Sequence, residues 1–124
     1  MGKVLVVEDE PITLKLTEEI FEVFGIDAAF TSNGKEGLNL FKKSPTEFSM
    51  ILLDMKLPEM TGREFYTALN NSSVQVVIAS GFREQDVMPQ FIGNENVSFI
   101  QKPYSVRELV KKISSQNAMA SSSH

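Results

Sequence analysis

The chain has no cysteine, a single histidine and no long apolar run. Without cysteine there is no disulfide framework, no thiolate metal site and no thiol nucleophile, which fits a reducing compartment and makes the cytoplasm the expected location. No apolar stretch approaches the roughly 18 residues of a spanning helix. The opening MGKVLVV is cut short by Glu8, Asp9 and Glu10, so it lacks the pattern of a signal peptide, and Val6 stands where myristoylation wants Ser or Thr. No membrane insertion is expected. A basic surplus is missing too: the net charge is −4, whereas gripping a phosphate backbone needs a concentrated basic surface. Nucleic acid is therefore not expected as a direct partner.

What is present suits one globular domain. A chain of 124 residues with 42% hydrophobic content and nine Phe can bury a core, and 23% charged residues is ordinary for such a fold. Four short runs, Lys3–Val7, Met50–Leu53, Val74–Ala79 and Val97–Ile100, have strand length and are mostly apolar on successive residues, as expected of strands covered on both faces. A weaker fifth is Asp27–Thr31.

Helical patterns fill the gaps. Ile12, Leu16, Ile20 and Phe24 recur every four residues and predict one apolar face, with Pro11 in the first turn and Gly25 as the C-terminal cap. Thr61-x-x-Glu64 and Ser105-x-x-Glu108 match capping boxes, the second followed by Val106, Leu109, Val110 and Ile113 on one face. Asn33-x-x-Glu36 opens a further helix carrying Leu38 and Phe41. Between Arg83 and Ile92, Pro89 predicts a short or kinked helix. Strict β-α alternation repeated five times implies an α/β fold, a doubly wound five-stranded parallel sheet. The domain is expected over residues 1–113. Residues 114–124, SSQNAMASSSH, read as a loosely held polar tail or cloning remnant that includes His124. With so short a tail, no DNA-binding or enzymatic output domain is expected.

In such a sheet function gathers outside the carboxyl ends of the strands. Here those ends carry Glu8-Asp9, Asp54, Ser80 and Lys102. Each has a bland reading: Asp54 as turn former or helix cap, Glu8 to Glu10 as charges at a helix start, Ser80 as a cap, Lys102 as a loop lysine. For Glu10 the bland reading is the one adopted, and Pro58 and Gly62 are read as loop shaping. Yet three acids converging on one edge repel one another and call for a compensating cation. A hard divalent ion with oxygen ligands, such as Mg²⁺, meets that need and leaves room for phosphate oxygens. With a hydroxyl from Ser80 and an ammonium from Lys102, the set describes a phosphoryl-transfer site with Asp54 as nucleophile.

The motifs VLVVEDE, LLDMKLPEMTG, ASG and FIQKP, in this order and at these strand ends, resemble the receiver domains of two-component response regulators. The resemblance implies a flavodoxin-like (βα)5 sheet of order 2-1-3-4-5. It also implies phosphorylation of Asp54 from a phosphohistidine on a histidine kinase or histidine phosphotransfer protein. It implies Mg²⁺ held by Asp9, Asp54 and the backbone carbonyl of Lys56, with Glu8 acting through water, and a cis peptide at Lys102-Pro103. It further implies a switch in which Ser80 turns to the phosphoryl group and Phe99 moves inward, altering the helix 4/strand 5/helix 5 surface. Phe99 has its own bland reading as core. Such a domain is no enzyme beyond catalysing its own phosphorylation and dephosphorylation.

The chain departs from the family's usual wording in its Glu-Asp pair, in Ser80-Gly81, and in Pro89. Lys56 and Phe82, two residues beyond Asp54 and Ser80, are expected to slow dephosphorylation. The wording ASGF and VSFIQKPYS resembles receivers of hybrid sensor kinases or stand-alone relays. The alternative is a phosphorylation-independent interaction module on the same fold, though such modules usually lack a site residue and this set is complete. Lys56 argues against a haloacid-dehalogenase-like phosphatase, which wants a second aspartate there, and Glu8 to Glu10 would repel a flavin phosphate.

Overall fold

Strands that are apolar on successive residues need cover on both faces, and the fold supplies it. A computed structural model describes residues 2–70 and 73–122, with the backbone alone over 117–122; His124 lies outside the described residues. Strands β1 (Lys3–Val7), β2 (Ala28–Thr31), β3 (Phe48–Asp54), β4 (Gln75–Ser80) and β5 (Val97–Gln101) form one parallel sheet in the order β2-β1-β3-β4-β5. Helices α1 (Pro11–Phe24), α2 (Gly34–Lys43), α3 (Gly62–Ala68), α4 (Glu84–Val87) and α5 (Val106–Ser122) alternate with the strands. This is the doubly wound, flavodoxin-like α/β architecture expected from the sequence.

Alternation along each strand builds two cores. Leu5, Val7, Ile51, Leu53, Val76, Ile78 and Phe99 join Leu38, Phe41, Phe65, Val87 and Phe91 on one side of the sheet. On the other, Val4, Val6, Met50, Leu52, Val77, Ala79 and Ile100 join Ile20 and Phe21 of α1 with Leu109 and Ile113 of α5. Because β1 and β3 are flanked by strands on both sides, their carboxyl ends open at the centre of one sheet edge.

Local signals act where the sequence placed them. Thr61 and Glu64 exchange hydrogen bonds at 3.0 Å each, as do Ser105 and Glu108 at 3.2 and 3.1 Å. Asn33 caps α2 through the Glu36 amide at 2.8 Å. Gly25 ends α1 at φ 67°, a left-handed conformation that glycine adopts without a Cβ penalty. Pro89 limits α4 to Glu84–Val87, and the chain continues as a 3-10 turn over Met88–Phe91.

Two expectations need adjusting. The buried face of α1 is Thr17, Ile20 and Phe21, while Ile12 and Phe24 are 79% and 52% exposed and Leu16 is exposed as well. A four-residue repeat advances about 40° per step around a helix of 3.6 residues per turn, so the stripe winds off the sheet-facing side. At the other end, α5 runs to Ser122, through the segment read as a polar tail, and Gln116 is buried. No glycine or proline interrupts residues 106–122, so nothing in the backbone stops the helix.

Candidate functional site

The ends of β1, β3 and β5 are fixed one residue beyond the regular ladder. The Glu8 amide donates to Thr31 O at 3.1 Å, the Met55 amide to Ala79 O at 2.9 Å and the Lys102 amide to Ser80 O at 2.7 Å. Residues from four separate stretches thereby meet at one edge. The peptide bond between Lys102 and Pro103 is cis. Gly62, the first residue of α3, lets the turn after β3 close tightly: a Cβ there would meet Met55 Sδ at 2.9 Å and Met55 Cα at 3.0 Å.

Glu8, Asp9 and Asp54 each bring a carboxylate oxygen within 4.8 Å of the other two. Glu8 and Asp54 are buried, at 4% and 6% exposure. Lys102 Nζ lies 2.6 Å from Glu8 Oε1 and 3.5 Å from Asp54 Oδ2. Asp54 Oδ1 accepts from the Lys56 amide at 3.1 Å. Burial, together with the neighbouring Glu8 carboxylate, pushes the Asp54 carboxyl up to about 7, although Lys102 and the Lys56 amide pull the other way. Burial alone would lower the Lys102 ammonium, but Glu8 and Asp54 hold it above its ordinary value.

Asp9 and Asp54 open onto a cavity of about 600 Å³ whose lining also includes Lys56, Ser80, Phe82 and Lys102. Ser80 is buried, and its Oγ accepts from the Phe82 amide at 3.0 Å. Glu10 lines the cavity too but acts as the cap of α1, accepting from the Thr13 amide at 3.3 Å, in keeping with its sequence reading. Phe99 stands apart from this cluster. It is buried in the core with Val87 and Phe91 and borders a separate cavity of about 350 Å³ beside Glu84, Glu108 and Lys112.

Tyr104 escaped the sequence reading. Its hydroxyl lies 3.2 Å from Thr17 Oγ1, and burial raises it above the ordinary phenol range. It lines a cavity of about 370 Å³ with Leu16, Lys102 and Pro103, next to the acid site. Neither Thr17 nor Tyr104 carries a spacing signal, because the two meet across 87 positions of sequence.

Chemically, the cluster is an all-oxygen donor set beside a lysine, open to solvent on one side. Such donors suit a hard divalent cation and disfavour softer metals. These carboxylates stand at the strand carboxyl ends of a parallel α/β sheet, the edge where such folds gather their function. The response regulator receiver domain family matches residues 4–114, and the chain belongs to that family.

Curated relatives include a probable transcriptional regulatory protein of Picosynechococcus, 32% identical over 90% of this chain and 47% of its own length. The polar-differentiation response regulator DivK of Brucella anthropi is 28% identical, over 90% of this chain and 93% of its own. The chain spans about half the length of the transcriptional regulators it matches, but nearly all of DivK. Among solved structures, a CheY-like receiver domain of Methanospirillum hungatei matches with a TM-score of 0.83 at 26% identity, over 100% of this chain and 99% of that one. Vibrio cholerae chemotaxis protein CheY4 matches with a TM-score of 0.82 at 22% identity, over 92% and 97%, which bears on the fold alone. Among the described residues no helix is long and apolar enough to cross a membrane.

Proposed function

We propose that this chain is a phosphoacceptor in two-component or phosphorelay signalling, modified on Asp54. The observation that carries the reading is the placement of Asp54: buried at the end of β3, beside Glu8, Asp9 and Lys102, on the floor of an open cavity. The ionised Asp54 carboxylate attacks the phosphorus of a phosphohistidine protonated on its other ring nitrogen; the new P–O bond forms as the P–N bond breaks, the P–N electron pair returns to the ring, and the histidine leaves as neutral imidazole. Lys102 offsets charge on the phosphoryl oxygens, and Ser80 donates its hydroxyl to one of them. Asp9, Asp54 and the Lys56 carbonyl would hold Mg²⁺, which when bound would supply positive charge against the same oxygens. Glu8, engaged by Lys102 at 2.6 Å, would reach the ion through water.

The donor is a histidine kinase or histidine phosphotransfer protein in the cytoplasm. Ile12 and Leu16 are exposed on α1, and Leu16 lines the cavity that adjoins the site through Lys102. That apolar strip, continuous with the acid pocket, suits a helix of the donor. Downstream, Ser80 and Phe99 bias the surface of α4, β5 and α5 between two packings; both side chains are buried. A complete acid, hydroxyl and lysine set favours this reading over a phosphorylation-independent module. The domain comprises residues 1–113, with α5 carrying on beyond.

Incubation with acetyl phosphate and Mg²⁺, followed by intact-mass measurement, tests the reading. One phosphoryl group should add to the wild type and none to Asp54→Asn. Equal labelling of the two would sink it.

A further inference from the structure

Where the Lys102 ammonium comes to rest depends on where the turn between β5 and α5 holds its backbone. Two anchors bracket that turn. Before it, the Lys102 amide donates to Ser80 O at 2.7 Å; after it, Ser105 and Glu108 exchange the hydrogen bonds that open α5. Of the two residues between, Pro103 has no amide hydrogen to donate, and Tyr104 reaches across to α1.

The contact on α1 has a defined polarity. Thr17 is fully buried, and its single hydroxyl hydrogen goes to the Thr13 carbonyl at 2.8 Å. Its lone pairs remain, so across 3.2 Å Tyr104 is the donor and Thr17 the acceptor. The Tyr104 ring packs against the core of Ile20, Phe21 and Leu109, a place a phenylalanine would fill as well. The hydroxyl adds nothing to that packing and costs free energy when buried unless a partner receives it. Its partner belongs to α1, the helix that directly follows Glu8, Asp9 and Glu10. Two contacts therefore join the same two stretches of chain: Lys102 to Glu8 at 2.6 Å, and Tyr104 to Thr17 at 3.2 Å.

We propose that Tyr104 is a positioning residue: its hydroxyl, seated on Thr17, fixes the turn after β5 against α1 and so holds the Lys102 ammonium over Glu8 and Asp54. This rests on the phosphoacceptor reading and extends it to a residue that acts through another.

Variants that remove one hydroxyl and keep the bulk test the tie. Tyr104→Phe, Thr17→Val, the double variant and Thr17→Ser are exposed to saturating acetyl phosphate with Mg²⁺, and the gain of mass is timed. Tyr104→Phe and Thr17→Val should each label about two- to tenfold more slowly than wild type, the worth of one net hydrogen bond. The double variant should be no slower than the slower single, and Thr17→Ser, which keeps the acceptor, should label at the wild-type rate. Losses that multiply in the double variant overturn the tie.

Nitrogen magnetic resonance of the Lys102 ammonium in the unphosphorylated protein, assigned by its loss in Lys102→Arg, separates positioning from packing. The wild type should give a signal distinct from those of solvated lysines, and Tyr104→Phe should move it towards them. A Lys102 signal already at the solvated position, or one unmoved in Tyr104→Phe, overturns the proposal. Lower stability in urea with signal and labelling rate unchanged makes Tyr104 packing alone and overturns it equally. A wild type that gains no mass overturns the phosphoacceptor reading, while the Lys102 signal, which needs no phosphoryl group, still decides the tie.

Discussion

The ammonium of Lys102 is nearer to Glu8, at 2.6 Å, than to Asp54, at 3.5 Å. Its principal partner is thus the buried glutamate, and Asp54 is left with one oxygen on a backbone amide and the other more loosely held. Removing the lysine strands two buried carboxylates. Lys102→Met should destabilise the fold by about 2–3 kcal/mol at pH 8 and by less at pH 5, where the raised Asp54 carboxyl is protonated and carries no uncompensated charge. Urea unfolding at the two pH values measures this; an equal loss at both would contradict it.

Asp54 makes a second pH prediction with a definite sign. Its folded carboxyl titrates near 7, above the ordinary 3.8, so between those values the native state holds more protons than the unfolded chain. Stability contributed by this group therefore falls as pH rises from about 4 to about 7. In metal-free buffer, Asp54→Asn should be more stable than wild type by on the order of 2 kcal/mol at pH 8 and no different near pH 4. Denaturation curves at both pH values decide it, and a pH-independent difference would count against the assignment.

Cation binding should reverse that penalty. Mg²⁺ at ten times its dissociation constant should stabilise the wild type by about 1.4 kcal/mol, and a chelator should remove the gain. Asp9→Asn and Asp54→Asn should each lose most of it. Thermal melts with and without Mg²⁺ are sufficient, and a wild-type melting temperature unmoved by Mg²⁺ would argue against a metal at this cluster.

The exposed strip on α1 predicts a separation between small and protein donors. Ile12→Glu should change stability by no more than about 0.5 kcal/mol, because the side chain is 79% exposed. Labelling by acetyl phosphate should persist, whereas transfer from a phosphorylated histidine phosphotransfer protein should fall at least about fivefold, as expected on losing an interface anchor. Equal effects on both donors would place Ile12 outside the interface.

The strands were legible because Val4 to Val7 and Met50 to Leu53 are apolar on consecutive residues, a pattern only a doubly covered sheet explains. The strand-end positions of Asp54 and Lys102 were legible because Asp54 follows its apolar run directly and Lys102 comes two residues after Ile100. The inward face of α1 was not, since the drift of a four-residue repeat is invisible until the helix is seated, and Thr17 is buried by hydrogen bonds to the Thr13 carbonyl and Tyr104 that no hydropathy pattern announces. The Lys56–Phe82 contact, with the ammonium 4.5 Å from the ring centre, was half legible: both positions stood out, but their meeting depends on two loops from different strands.

The shortness of α4 also has a thermodynamic side. A single α-helical turn over Glu84–Val87 followed by a 3-10 turn gains little from helix propagation, whose favourable increments begin only after the nucleus has formed. That segment is held by Val87 and Phe91 in the core more than by its own ladder, so its amides should exchange with solvent sooner than those of α1. The element flanking Phe99 is therefore the part of the domain that melts and re-forms at least expense, a soft edge on an otherwise stiff sheet.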